Sequence, residues 1–120
     1  MLTPDAAMRR IDTLLSHVWM VRAFLKHSDE AADDEDVQET HRTLYDFQLA
    51  VGAAWQAQDA AAYLKLAHKK FSKLRQATDD FVRLQPEISS HTNFQMAAAS
   101  LQAAVSEIGE VLSAVRAGGE

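Results

Sequence analysis

Apolar residues recur along this chain at alternating steps of four and three positions, in four separate stretches. Such a repeat keeps its members on one face of an α-helix, so each stretch predicts an amphipathic helix. The first seam is Ala7, Ile11, Leu14, Val18, Val21 and Leu25. The third seam is Ala60, Leu64, Ala67, Phe71, Leu74, Thr78 and Phe81. The four predicted helices cover residues 4–27, 34–57, 60–85 and 90–116.

The other two seams contain polar side chains. The second seam is Val37, His41, Leu44, Gln48, Val51 and Trp55. The fourth is His91, Phe94, Ala98, Leu101, Val105, Ile108, Leu112 and Val115. Polar groups on a buried face need hydrogen-bond partners or a chemical role, so these histidines are the first candidates for function.

Helix-starting and helix-breaking residues lie between the seams. Thr3 and Asp59 are suited to cap the first and third helices, and Ser89 or Ser90 the fourth. Pro86 cannot donate a backbone hydrogen bond, and it predicts the end of the third helix.

An acidic run, "DEAADDED", occupies residues 29–36. Six acids in eight positions resist burial, so the run predicts a loop followed by the first turn of the second helix. Carboxylates at that position also interact favourably with the positive end of the helix dipole.

Short connections between long helices favour antiparallel neighbours. The sequence therefore predicts an all-α fold, an up-down-up-down antiparallel four-helix bundle formed as one domain by residues 1–120. The 4-3 spacing further predicts coiled-coil-like packing of the helices.

Composition narrows the function. The chain has no cysteine, which excludes disulfides, zinc–thiolate sites and thiol catalysis. A net charge of −5 argues against nucleic-acid binding. No apolar run approaches the ~20 residues of a membrane span, and charges interrupt the apolar residues near the N-terminus. We expect a cytoplasmic protein with no membrane partner and no cofactor.

The predicted topology brings polar seam residues towards one end of the bundle. His41 and Thr78 fall at about one level, with His91 one turn further out and Gln48 deeper. One interpretation is structural: these four side chains hydrogen-bond one another, the backbone or a buried water. The other is a metal or small-ligand site using His41 and His91, with His17 as a third group. No Glu-x-x-His pair of the kind used in bundle metal sites is present.

A half-exposed histidine, His68, lies beside Lys69 and Lys70 on the third helix. This arrangement resembles histidine phosphotransfer domains, which implies phosphotransfer as a remote alternative. Their pattern is His-x-x-Lys-Gly, and the last two positions here hold Phe71 and Ser72.

Three large apolar residues are predicted to point outward: Trp19 and Met20 on the first helix and Met96 on the fourth. An exposed patch with Trp and Met is typical of an interface, and homodimerisation is its commonest use. The chain has no phosphate-binding loop and no nucleophile elbow. We therefore expect a non-enzymatic interaction or scaffold module, with an unknown protein partner as a further option.

Two segments carry a resemblance: "RIDTLLSHVWMVRAFLKHS" at 10–28 and "SSHTNFQMA" at 89–97. They resemble parts of a small bacterial helical family of unestablished activity, some members of which carry the label amidohydrolase. The resemblance supplies no catalytic motif. It makes His17, His91 and Asn93 worth examining. Metal-dependent amidohydrolases are large α/β barrels with a His-x-His motif, and this chain has neither.

Overall fold

Four helices make up the fold in the computed structural model, which describes the backbone of residues 2–119 and the side chains of residues 2–115. They are α1 (Pro4–Lys26), α2 (Glu35–Gln56), α3 (Ala60–Ile88) and α4 (Thr92–Gly119). No strand occurs in this part of the chain. The predicted all-α architecture is confirmed.

The helices form an antiparallel bundle. Consecutive helices contact each other, and α4 packs back onto α1. On that last pair, Arg10 bonds Glu107 whereas Phe24 meets Phe94, so the two helices run in opposite directions. Across the bundle the backbones of α1 and α3 also approach within 8 Å, while those of the described parts of α2 and α4 do not. The bundle is therefore flattened, and α1 and α3 are the two helices that contact all three others.

Side-chain caps fix the starts of the first three helices. Thr3 Oγ1 accepts a hydrogen bond from the Ala6 N–H at 3.1 Å, and Asp59 Oδ1 accepts one from Ala62 N–H at 3.0 Å. In the acidic run, Asp34 Oδ1 accepts from the N–H groups of Asp36 and Val37. These bonds satisfy backbone donors that the helix itself leaves free. The predicted caps at Thr3 and Asp59 are confirmed, and the acidic run forms the predicted loop and first turn of α2.

The start of α4 differs from the prediction. His91, not Ser89 or Ser90, occupies the capping position, and its ring Nδ1 accepts from the Asn93 N–H at 3.0 Å. Ser89 supports the cap from outside the helix, because its Oγ accepts from the His91 N–H. His91 is exposed, so its assignment to the buried seam was wrong. The apolar repeat had been extended one step beyond the first helical residue.

The end of α3 also differs. The helix passes through Pro86 and ends at Ile88, three residues later than predicted. Gln85 holds this last turn: its carbonyl accepts from the Ser89 N–H, and its side-chain amide donates to the Ser89 carbonyl at 2.8 Å. A proline so close to the helix end removes one backbone hydrogen bond without ending the helix at that residue.

The core confirms the first seam completely, because all six of its residues are buried. On α2 the buried stripe is instead Val37, Thr40, Leu44, Phe47, Val51 and Ala54. His41, Gln48 and Trp55 lie beside the core, only partly buried. Two stripes overlap on this helix and share three residues, and the one containing Phe47 buries more apolar surface. Three of the six predicted members of the second seam were therefore wrong, each by one position.

Candidate interaction surface

The three candidate metal-binding histidines have separate surroundings. His41 faces α1, where its Nε2 lies 3.1 Å from Arg22 Nη1. The exposed His17 lies between α1 and α4, 3.5 Å from Ser100 Oγ, and His91 caps α4. Among the described residues no group of three or more His, Asp or Glu side chains is placed to hold a metal. The predicted convergence of His17, His41 and His91 does not occur.

The four polar side chains of the predicted network do not hydrogen-bond one another, but three of them bond the backbone, as the structural interpretation also allowed. The Thr78 hydroxyl donates to the Leu74 carbonyl of its own helix at 2.8 Å. Gln48 donates from its amide to the Leu15 carbonyl at 3.2 Å, and its buried Oε1 has no hydrogen-bond partner. Thr78 and Gln48 therefore bond backbone carbonyls and not each other.

His68 is half-buried on α3. It lines a groove between α3 and α4 together with Phe71, Ser72 and Gly109. A partner approaching this imidazole would meet the Phe71 ring at the position where phosphotransfer domains have lysine.

A larger cavity, of about 650 Å³, lies where α1 ends and α4 begins. Met20, Phe24 and Phe94 supply its apolar lining, and His27 and His91 lie at its polar side. This position shows that Met20 belongs to the α4 side of α1.

The groove between α2 and α3 has a volume of about 500 Å³ and walls of opposite charge. Its acidic residues on α2 are Asp36, Glu39 and Asp46, and its basic residues on α3 are Lys70, Lys73 and Arg83. Glu39 and Arg83 already pair with neighbours on their own helices, so the charges of this groove are partly satisfied internally.

The exposed large apolar side chains divide between two sides of α1. Trp19, Met20 and Met96 point outward as predicted, with exposed fractions of 44, 66 and 59%. Tyr45 and Leu49, one turn apart on α2, are also exposed. Trp19 lies on the α2 side of α1, about 100° around the helix from Met20.

A buried arginine joins Trp19 to Tyr45. The guanidinium carbon of Arg22 lies 3.9 Å from the centre of the Trp19 ring and 5.6 Å from that of Tyr45. Arg22 is only 7% exposed, and its Nε is buried without a hydrogen-bond partner. Cation–π contacts of this kind hold both rings in place. The i, i+3 spacing of Trp19 and Arg22 was a signal for this pair in the sequence; Tyr45, on another helix, had none.

His41 completes the cluster as a neutral ring. Burial lowers the pKa of His41 below its ordinary value of 6.5, and the positive charges of Arg22, Lys26 and Arg42 lower that pKa further. A neutral Nε2 can accept the Arg22 hydrogen bond, which places the ring proton on Nδ1. Among the described residues no carboxylate pairs with Arg22, so this end of the surface is cationic.

An acidic residue lies on the same side of α1, ten positions earlier. Asp12 Oδ1 accepts a hydrogen bond from the hydroxyl of the fully buried Tyr63 at 3.1 Å. Burial raises the pKa of Asp12, and the hydrogen bond from Tyr63 opposes that rise. Asp12, Trp19 and Lys26 are spaced by seven residues, which places them in one row along the helix.

Gly52 continues the row of Tyr45 and Leu49 on α2. A Cβ atom built at Gly52 would meet nothing within 4 Å. A glycine inside a helix costs about 1 kcal/mol relative to alanine, and no neighbour in the described structure requires it. We name the surface made by these residues the α1–α2 face. Its members are Asp12, Trp19, Arg22, Tyr45, Leu49 and Gly52.

Within the described residues, no helix is long and apolar enough to cross a membrane. Comparison with known proteins adds no relative: no protein-family model, no curated protein and no solved structure matches the chain.

Proposed function

We propose that the protein is a non-enzymatic helical interaction module that forms a homodimer through the α1–α2 face. The observation that carries the proposal is the pair of rings on Arg22: Trp19 and Tyr45 are 44% and 42% exposed although a buried cation holds them in place. Tyr, Trp and Arg are enriched at protein interfaces and dominate their binding energy.

Apolar burial favours association at this face. Trp19, Tyr45 and Leu49 each keep a large part of their side chain in water. Full burial of one large apolar side chain contributes on the order of 1.5–3 kcal/mol, so half-burial of several contributes comparably.

Gly52 supports close packing of a second helix. Without a Cβ at this position, another backbone can approach α2 more closely than at any longer side chain. The open space around Gly52 is then filled by the second copy rather than by the chain itself.

A second copy is the occupant that the charges favour. The α1–α2 face has a cation, Arg22, towards one end and an anion, Asp12, towards the other. A surface of this kind is complementary to itself after a twofold rotation, which is the usual symmetry of dimers.

The sequence pattern predicts Met20 and Met96 in the same interface as Trp19. We now centre the interface on Trp19 alone, because Met20 lines the cavity towards α4. Met96 is an exposed residue of α4 and provides a matched control. We further propose that the dimer works in the cytoplasm, which suits a chain without cysteine.

Replacing Trp19 tests the proposal. We expect the wild-type protein to have the mass of two chains at micromolar concentration in sedimentation equilibrium. Trp19→Glu should have the mass of one chain, because it introduces a charge into the apolar centre of the interface. Its helical circular dichroism should be unchanged, since the side chain is not in the core.

The matched control is Met96→Glu, which introduces the same charge at a similarly exposed apolar residue of α4. It should remain a dimer. A wild-type mass of one chain would refute the homodimer. Dissociation by Met96→Glu alone would move the interface to the α4 side of α1.

A further inference from the structure

Arg22 is an incomplete carboxylate-binding site. We propose that Asp12 of a second copy completes it, so that two symmetry-related Arg22–Asp12 pairs set the register of the dimer. This inference rests on the proposed homodimer, and it adds the contact that specifies how the two copies align.

The donors of Arg22 are not saturated. Nη1 is engaged with His41, whereas Nε is buried without a partner. Nε and Nη2 lie side by side on the guanidinium, and together they form a fork that matches the two oxygens of a carboxylate. Because Nε is covered in the single chain, full engagement requires a small rearrangement around it. Trp19 is the ring stacked on that guanidinium.

The surroundings of Arg22 favour the binding of an anion. A buried guanidinium without a counter-charge is unfavourable, and its neighbours here are a neutral imidazole, two rings and further cations. Lys26 and Arg42 both act electrostatically on His41, so they add positive potential beside Arg22. Glu39, two residues before His41 in the sequence, is already paired with Arg42.

Asp12, in turn, lacks a cationic partner among the described residues. Only its Oδ1 accepts a hydrogen bond, from Tyr63, and no cation within the described residues forms an ion pair with it. The carboxylate is half-buried, and burial raises its pKa. A guanidinium arriving from outside would stabilise its charged form.

The spacing allows both pairs to form at once. Asp12 and Arg22 are ten residues apart on one helix, or about 15 Å along its axis. A twofold axis that crosses the α1–α2 face perpendicular to α1, at the level of residue 17, places Arg22 of each copy opposite Asp12 of the other. Both ion pairs are then made by one rigid-body placement.

The same axis suits the apolar residues between the charges. Contacts of Arg22 with His41 and of Gln48 with Leu15 show which levels of α1 and α2 face each other. Leu49 is therefore level with Leu14, and Gly52 with Ile11. After the rotation Leu49 lies opposite the Trp19 and Tyr45 rings.

Exchanging the two charges tests the pairing. Arg22→Asp and Asp12→Arg should each weaken dimerisation about tenfold or more, because like charges then face each other. An equimolar mixture of the two variants should restore a heterodimer, since each copy then offers the charge that the other lacks. The measurement is sedimentation equilibrium, with circular dichroism confirming that each variant is folded.

Milder variants keep the test valid if either reversal prevents folding. Arg22→Gln and Asp12→Asn should each weaken the dimer, and the double variant should be little weaker than either single one. Asn at position 12 can still accept from Tyr63. Additive losses would refute direct pairing.

The outcomes separate this inference from the proposed function. If the wild type dimerises and Trp19→Glu abolishes the dimer, yet the folded charge-exchanged variants stay monomeric when mixed, the dimer stands and the pairing is wrong. If the wild type is monomeric, both are wrong. If inorganic phosphate changes Trp19 fluorescence in the wild type while Asp12→Asn dimerises normally, Arg22 binds a free anion and the pairing is also wrong.

Discussion

At the scale of single residues, Tyr63 is among the largest fully buried side chains, and its hydroxyl has one partner in the described structure, the Asp12 carboxylate. We expect Tyr63→Phe to lower the free energy of unfolding by about 1.5–3 kcal/mol, the usual contribution of a hydrogen bond to a charged group. The pKa of Asp12 should rise further, because the bond from Tyr63 lowers it. NMR titration of the Asp12 carboxyl measures this second effect.

The control for that variant is Tyr45→Phe, which removes a hydroxyl from an exposed ring. Its stability and the pKa of Asp12 should match those of the wild type. An unchanged Asp12 titration in Tyr63→Phe would show that the hydroxyl does not stabilise the carboxylate.

His41 gives the protein a pH-dependent stability. Its folded-state pKa is depressed below the 6.5 of the unfolded chain by burial and by nearby cations, Arg22 first. When the pH falls below 6.5, the unfolded chain therefore binds a proton that the folded chain does not. The stability present at neutral pH is lost progressively until the pH reaches the folded-state pKa.

We expect urea denaturation to show a lower free energy of unfolding at about pH 5.5 than at about pH 7. His41→Gln should remove part of that difference, since an amide does not titrate. Asp12 contributes with the opposite sign, because its raised pKa favours the folded state as acid is added. It titrates alike in both proteins and cancels in the comparison. Identical pH profiles for the two proteins would contradict this role of His41.

Single residues were also where the sequence predicted least. His91 carries the same side chain whether it begins a seam or caps a helix, and only the position of the first helical turn distinguishes the two. Arg22 follows the seam residue Val21 and has no mark of its own in the sequence, because its role depends on Tyr45 and His41 of another helix. Contacts between helices have no signature in the sequence of either helix alone.

At the scale of helices, two glycines show how neighbours decide the effect of one methyl group. A Cβ at Gly109 on α4 would lie 2.8 Å from Cζ of Phe71 on α3, whereas one at Gly52 would meet nothing. Gly52→Ala should raise the stability of the folded monomer by about 0.5–1 kcal/mol. Gly109→Ala should give no gain or a loss, because the displaced ring offsets the better helix propensity.

Both substitutions are best made in the Trp19→Glu background, so that thermal unfolding reports on single chains. Phe71→Leu should restore the benefit of alanine at position 109 by removing the obstructing ring. In the wild-type background, Gly52→Ala should weaken the dimer while it stabilises the chain. A stabilising Gly109→Ala would mean that Phe71 swings aside freely.

The sequence predicted helix existence well and helix rotation less well. On α1 all six predicted members of the seam are buried, and Met8 and Leu15 beside them are buried as well. On α2 two stripes compete, and the choice between Phe47 and Gln48 as the buried residue depends on what the neighbouring helices offer. Helix caps were predictable where a Thr or Asp side chain accepts the capping hydrogen bond, as at Thr3 and Asp59. The cap at His91 was not, because an imidazole nitrogen accepts that bond there.

At the scale of the whole molecule, short loops and four apolar stripes were sufficient to predict the antiparallel bundle. The close approach of α1 to α3 was not predictable, because it depends on the sizes of side chains across the core. The outward positions of Trp19, Met20 and Met96 were predicted correctly. Their division between two sides of α1 became visible only once α2 and α4 were placed beside it.

The packing of α1 against α4 also has a consequence for how the chain is made. Of the four helices, α1 leaves the ribosome first, yet its contacts with α4 join residues as far apart as Arg10 and Glu107, separated by 97 positions. A nascent chain that lacks α4 exposes the apolar side of α1 against which Phe94 would pack. Of these four helices, the first to be synthesised is therefore fully covered only after α4 has been made, and until then its apolar side is open to aggregation.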